Sequence, residues 1–121
     1  MDMLTEEYMR SLNYHSKIRV YREEKNFGPG TVQLMQLVDK TGSLSAACKE
    51  MGMAYSKAWK IIKQAEADLG FALMEGSRGG ESGGHTILTE DGKEFLNRYL
   101  LFSDKAEAVL DQLFEQCFGG K

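Results

Sequence analysis

Three glycines, at positions 42, 52 and 70, limit what this chain can fold into more than any other feature. Each stands just past a run with helical apolar spacing, the place where glycine stops a helix. The first run carries Val32, Leu34, Met35, Leu37 and Val38, follows Gly28-Pro29-Gly30 and stops at Thr41-Gly42. The second, Ser45 to Met51, has Ser43 in front as a cap and Gly52 behind, placed to turn left-handed. The third begins near Ala54 after only a short turn and stops at Gly70. Its wheel separates cleanly: Ala58, Ile62, Ala65 and Leu69 share one face with Ile61 flanking, while Ser56, Lys60 and Lys63 lie opposite and Trp59 stands on the edge.

After Gly70 the pattern changes. Phe71-Ala72-Leu73-Met74 and Thr86-Ile87-Leu88-Thr89 bracket a glycine-rich stretch from Gly76 to Gly84, which predicts two short strands in a hairpin. From Glu90 to about Phe118 the only glycine is Gly92 and there is no proline, so one long helix is expected. Leu96, Tyr99, Ser103, Ala106, Leu110, Leu113 and Cys117 alternate spacings of three and four along it, an imperfect heptad seam that calls for a partner helix. Before the three helices, residues 4–12 suggest a short helix, and Lys17-Ile18-Arg19-Val20-Tyr21-Arg22 alternates as a half-buried strand does. The expected division is an N-terminal segment over 1–16, a central domain over 17–89 and a dimerisation helix over 90–118. The fold class is mainly α with a small β-sheet.

At 121 residues the chain suits one domain, and 42% hydrophobic with 27% charged residues is the range of soluble globular proteins. No apolar run approaches the roughly 18 to 20 residues that span a bilayer, and the acidic start Met-Asp-Met-Leu-Thr-Glu-Glu is unlike a signal peptide. A cytoplasmic location with no membrane partner is expected. Cys48 and Cys117 match no metal-ligand spacing and read as reduced thiols, Cys48 as a packing residue. His15 and His85 stand without acid or base partners at any interpretable spacing, so no catalysis, no metal and no cofactor are expected. The glycine-rich stretch lacks the Gly-Lys-Ser/Thr ending of a phosphate-binding loop and is better explained by turns.

The formal charge of −3 argues against a polyanion as partner, but its distribution argues otherwise. Acids concentrate after Thr89, at Glu90, Asp91, Glu94, Asp104, Glu107, Asp111 and Glu115, whereas Lys57, Lys60 and Lys63 are the only charges from Met51 to Ala65. Lysines on an exposed helix face are by themselves ordinary solvation. Here they share a segment without acids, stand beside Tyr55 and Trp59, and precede a hairpin. Two helices joined by a tight glycine turn and followed by a hairpin is the order of a winged helix-turn-helix, with a three-helix core and a β-hairpin wing. Ala46 and Ala47 are small enough for the helices to cross closely, and Met51 and Met53 bracket the turn. The polar end of the third helix would then meet base edges and phosphates in the major groove of double-stranded DNA.

At this point Thr41-Gly-Ser-Leu-Ser-Ala-Ala, Met51-Gly-Met-Ala-Tyr-Ser-Lys-Ala-Trp59, Gly79-Gly-Glu-Ser-Gly-Gly and Leu88-Thr-Glu-Asp-Gly92 resemble the DNA-binding domain of ModE-type molybdate-responsive regulators, close in pattern to LysR-type domains. The resemblance covers roughly Lys17 to Leu100. It implies a transcriptional regulator whose contact residues include Ser43, Ser45, Tyr55, Ser56, Lys57, Trp59, Lys60, Lys63 and, in the wing, Arg78. It also implies a homodimer joined through Leu96, Tyr99, Ala106, Leu110, Leu113 and Cys117. Gly76 and Glu81 stand where the family usually has arginine and lysine, which removes charge from the wing. Nothing after Gly119 could form an oxyanion-binding domain, so this chain is not expected to bind molybdate. The alternative is a winged-helix protein-interaction module with little DNA affinity.

Overall fold

The structure is a computed structural model that describes residues 3–76 and 85–119. The glycines act as the sequence requires. Helix α2 (Pro29–Thr41) ends at Gly42, α3 (Leu44–Met51) at Gly52 and α4 (Tyr55–Leu69) at Gly70, and the three glycines have φ of 74°, 65° and 93°. An L side chain is strained in that left-handed region, which is why glycine holds these positions. Pro29 stands in the first turn of α2, where its missing N–H is no loss. Ser43 caps α3, its Oγ accepting from the Ala46 N–H at 3.0 Å.

The core lies within the compact unit Lys17–Tyr99. Its largest fully buried side chains are Phe27, Leu34, Met35, Val38, Ile62 and Leu73. Phe27 meets Phe95 and Tyr99 edge to face, with ring centroids 4.7 and 5.4 Å apart. Strands β1 (Met74–Gly76) and β2 (Thr86–Leu88) pair antiparallel in the register Met74 with Leu88 and Gly76 with Thr86. So small a hairpin is marginal alone. It is anchored on the α2–α3 junction: the Thr86 N–H donates to the Gly42 carbonyl at 2.9 Å, and the Leu44 N–H donates to Thr86 Oγ1 at 3.3 Å.

Two strand expectations are corrected. Lys17 to Arg22 is no strand; the segment makes a single antiparallel bridge, Val20 with Phe27. Its alternation is still one of burial, with Ile18 and Val20 half-buried and Lys17, Arg19 and Tyr21 exposed. A ladder needs a partner, however, and after Phe27 the chain enters α2 at Pro29. The first hairpin strand begins at Met74 instead of Phe71. The Leu73 and Met74 N–H groups both donate to Glu66 Oε2, at 2.8 and 3.4 Å, so a side chain from α4 takes up the backbone that a longer strand would have used.

Helix α5 (Glu90–Phe118) is a single helix of 29 residues. Thr89 secures its start, Oγ1 accepting from the Gly92 N–H at 2.8 Å while the hydroxyl donates to the Ala72 carbonyl at 2.6 Å. Gly92 is buried against the Leu73 backbone, and a Cβ there would overlap the Leu73 carbonyl. Leu96 and Tyr99 belong to the domain's own core, 5% and 6% exposed, and the Tyr99 hydroxyl donates to the Ile18 carbonyl at 2.8 Å. The expected dimer seam is corrected accordingly. Its two N-terminal members are used within the protomer because α5 must first cover Phe27.

At the C-terminal end of α4, Asp68 accepts from three successive backbone N–H groups, those of Arg22, Glu23 and Glu24, each at 2.8 Å. Desolvation pushes its carboxyl up, but these three bonds and the nearby Arg22 charge outweigh that and hold it below the ordinary aspartate value. In the second compact unit, Met1–Ser16 with Leu100–Lys121, the short helix α1 (Glu6–Arg10) is capped by Thr5. The Tyr14 ring lies 5.0 Å from that of Phe114, and its hydroxyl donates to Asp111, a bond that pushes the phenol up to about 12.

Gly92→Ala is expected to destabilise the domain by about 1 to 3 kcal/mol, since backbone on both sides must move to admit one methyl group; thermal unfolding checks this. Asp68→Asn is expected to lower stability most near neutrality. Because the folded carboxyl is depressed, the wild-type advantage is present above the unfolded value of roughly 4 and lost as pH falls through the folded value. Melting curves of both proteins from pH 7 to pH 2.5 should therefore converge at the acid end.

Candidate nucleic-acid interface

The site is built from the outside of α4. Ala58, Ile62 and Ala65 are buried along the inner face of that helix, which turns Tyr55, Ser56, Lys57, Trp59, Lys60 and Lys63 to solvent. Tyr55 is 52% exposed and Trp59 49%, large values for aromatic side chains on a packed helix. No acid occurs in the first turn of α4, so nothing there opposes an incoming phosphate. The N-cap is Ala54, which makes no side-chain capping bond, leaving the first N–H groups of α4 available at that end.

The outer face has two flanks with different electrostatics. On one, Lys63 Nζ lies 4.5 Å from the Trp59 ring centroid and 3.1 Å from Glu66 Oε1. Glu66 also holds the Leu73 and Met74 N–H groups, so Lys63 is the outer end of a brace between α4 and the start of β1. On the other flank Lys57 and Lys60 have no ion-pair partner among the described residues. The three lysines that look equivalent in sequence therefore differ: one is half spent on the fold, and two present uncompensated charge.

Of the remaining sequence-derived contact residues, Ser45 is exposed on α3, whereas Ser43 is half-buried with its oxygen engaged in capping. Arg78 lies outside the described residues, as do Glu81 and the others over 77–84. Along α5, Ala106 and Leu110 are half-buried and Leu113 and Cys117 exposed. Sequence reading missed Glu66 and Asp68, whose partners are backbone groups that no motif marks. It also read Lys17 and Arg19 only as strand residues, although a spacing of two on an alternating segment already places them on one side.

A three-helix core followed by a two-stranded hairpin, with an exposed basic helix second in a glycine-turned pair, is the architecture of the winged helix-turn-helix class. The family model described as "Bacterial regulatory helix-turn-helix protein, lysR family" matches residues 30–93, and the chain belongs to that family. Within it the relatives are of the ModE kind. The molybdenum-pterin-binding protein MopB of Rhodobacter capsulatus is 31% identical over 78 residues, 64% of this chain and 29% of that protein. The DNA-binding transcriptional dual regulator ModE of Escherichia coli K12 is 28% identical over 85 residues, 70% of this chain and 32% of its own length. This chain thus spans about a third of the curated relatives it matches. Among solved structures, CbnR, a LysR family transcriptional regulator, shares the fold with a TM-score of 0.55 at 24% identity, over 71% of this chain and 28% of that one.

Removing each serine hydroxyl separates capping from contact. Ser43→Ala is expected to cost about 1 kcal/mol of stability through loss of the α3 cap, while exposed Ser45→Ala stays within about 0.5 kcal/mol; chemical denaturation of both variants distinguishes them.

Proposed function

We propose that the protein is a transcriptional regulator that binds double-stranded DNA sequence-specifically, with the N-terminal half of α4 in the major groove. The observation that carries this reading is the acid-free outer face of α4, where Lys57 and Lys60 keep uncompensated charge beside exposed Tyr55 and Trp59. Lysine and serine donors suit base edges and phosphates, and aromatic edges suit thymine methyls and sugars. Ser45, at the start of α3, is a phosphate donor in the same reading. Arg78 would add a wing contact. With Gly76 and Glu81 where the family usually has arginine and lysine, α4 supplies most of the affinity.

The partner in this reading is a second copy of the chain, joined through α5. Phe102, Val109 and Leu113 are 54%, 55% and 47% exposed and recur with Ala106 at spacings of four and three. This stripe keeps Ala106 and Leu113 of the seam read in the sequence but has Phe102 and Val109 in place of Ser103 and Leu110, on the side away from Phe114, whose ring Tyr14 meets. Apolar side chains in such a row along a long helix are what a coiled-coil partner buries. Two copies would read a two-fold site with half-sites about 34 Å apart.

Binding to duplexes selected from random sequence should be tight and salt-sensitive. Lys57→Ala and Lys60→Ala should each reduce the slope of log K against log salt by about 0.9, and Lys63→Ala by less, since its charge is shared with Glu66. A wild-type protein that stays folded yet passes through a DNA column near physiological salt would instead identify a protein-interaction module. Val109→Glu with Leu113→Glu should give a monomer by sedimentation.

A further inference from the structure

We infer that the basic recess beside the start of α2 is a second DNA contact, seating a backbone phosphate at the wall of the groove that α4 enters. The inference rests on the DNA-binding reading above and adds to it a contact surface outside the helix-turn-helix.

Lys17, Arg19 and Lys25 line one cavity of about 320 Å³, and no acidic residue lines it. All three are exposed, and none is in an ion pair among the described residues. In a chain with three more acids than bases, three cations around one recess with no counter-charge is the reverse of what random surface composition provides. Like charges so gathered repel, and an anion between them relieves the repulsion. Arg19 is positioned by what Gly28 lacks. A Cβ on Gly28 would stand 2.9 Å from Arg19 Cγ, so the arginine stem lies across the entry to α2 only because that residue is glycine. The same wall holds Gly30 and Thr31 of the first turn of α2, a turn without any acid, whose N–H groups add partial positive charge.

The opposite wall ties this recess to the DNA-reading helix. It is formed by Ile61 and Gln64 of α4. Lys57, Lys60, Ile61 and Gln64 recur at spacings of three and four, so the uncompensated lysines and the recess share one flank of the helix. Gln64 lies about 10 Å along the axis from Lys57, at 1.5 Å per residue. The major groove is about 12 Å wide, so a helix with Lys57 over the bases brings Gln64 to the groove wall, where the phosphates are. The uncompensated cationic run stops there, because in the recess beyond Asn26 and Gln64 the acids Glu23, Glu24 and Asp68 outnumber the one cation, Arg22. The chemistry fits a phosphodiester: a guanidinium able to take two non-bridging oxygens, with two ammonium groups as point charges beside it.

The test uses the full chain on a duplex carrying its selected site. Lys17→Ala with Lys25→Ala should reduce the magnitude of the salt slope by up to about 0.9, the value of one phosphate contact, while leaving the ranking of different DNA sequences unchanged, because a phosphate contact carries no sequence information. Arg19→Gln alone should also reduce it, by no more than about 0.9. Phosphate-ethylation interference with the unmodified protein should mark a phosphate flanking the bases that depend on Lys57 and Lys60, so the outcome does not hang on any variant folding. If the wild type binds and Lys60→Ala weakens it, but the recess variants keep the full slope and no flanking phosphate is marked, this inference is overturned and the DNA reading stands. If the wild type binds no DNA, the DNA reading itself fails first.

Discussion

What α4 must bury decides everything it presents. Its inner face is Ala58, Ile62 and Ala65, all fully buried or nearly so, and Ala47 of α3 is likewise fully enclosed. A buried alanine leaves neighbouring backbones close together, and a packed interior at near-crystalline density tolerates neither a larger side chain nor a rotation of the helix. With that face fixed, the opposite face is fixed too. Tyr55, Lys57, Trp59 and Lys60 are outward because the alanines are inward.

Two braces converge on the C-terminal end of α4. Glu66 gathers the Leu73 and Met74 N–H groups, and Asp68 gathers those of Arg22, Glu23 and Glu24. Each carboxylate satisfies backbone N–H donors, an obligation that folded chains rarely leave unmet. One brace holds the start of the hairpin and the other holds the loop leading to Phe27. Both braces lie in the last turn and a half of α4, away from Tyr55, Lys57 and Lys60.

Charge follows the same division of labour. The chain is acidic in sum, yet the acids that set that sum are concentrated on α5, after Thr89. Interactions between exposed charges are screened over about 8 Å at physiological salt, so an approaching polyanion meets the local pattern before the total. Locally, α4 from Tyr55 to Ala65 offers lysines without acids. Lys63 alone among them is partly neutralised, because it serves the fold through Glu66.

Much of this was legible from residue order. Helix stops at Gly42, Gly52 and Gly70, the Ser43 cap, the inner face of α4 and the extent of α5 are local matters, decided by backbone sterics and periodicity. The lysR-type motifs were legible for the same reason, since they are the turn and packing residues of that local order. Other features were settled only by tertiary structure. The alternation from Lys17 to Arg22 reported a buried side correctly, but whether it became a strand depended on a partner that Pro29 denied it. The seam along α5 mixed two roles, because heptad spacing cannot say whether Leu96 and Tyr99 meet another chain or the core of their own domain. Nor could spacing tell the bound lysine from the two uncompensated ones, or bring Lys17, Arg19 and Lys25 round one recess. Burial and ion pairing are relations between residues distant in the chain, and only packing brings those residues together.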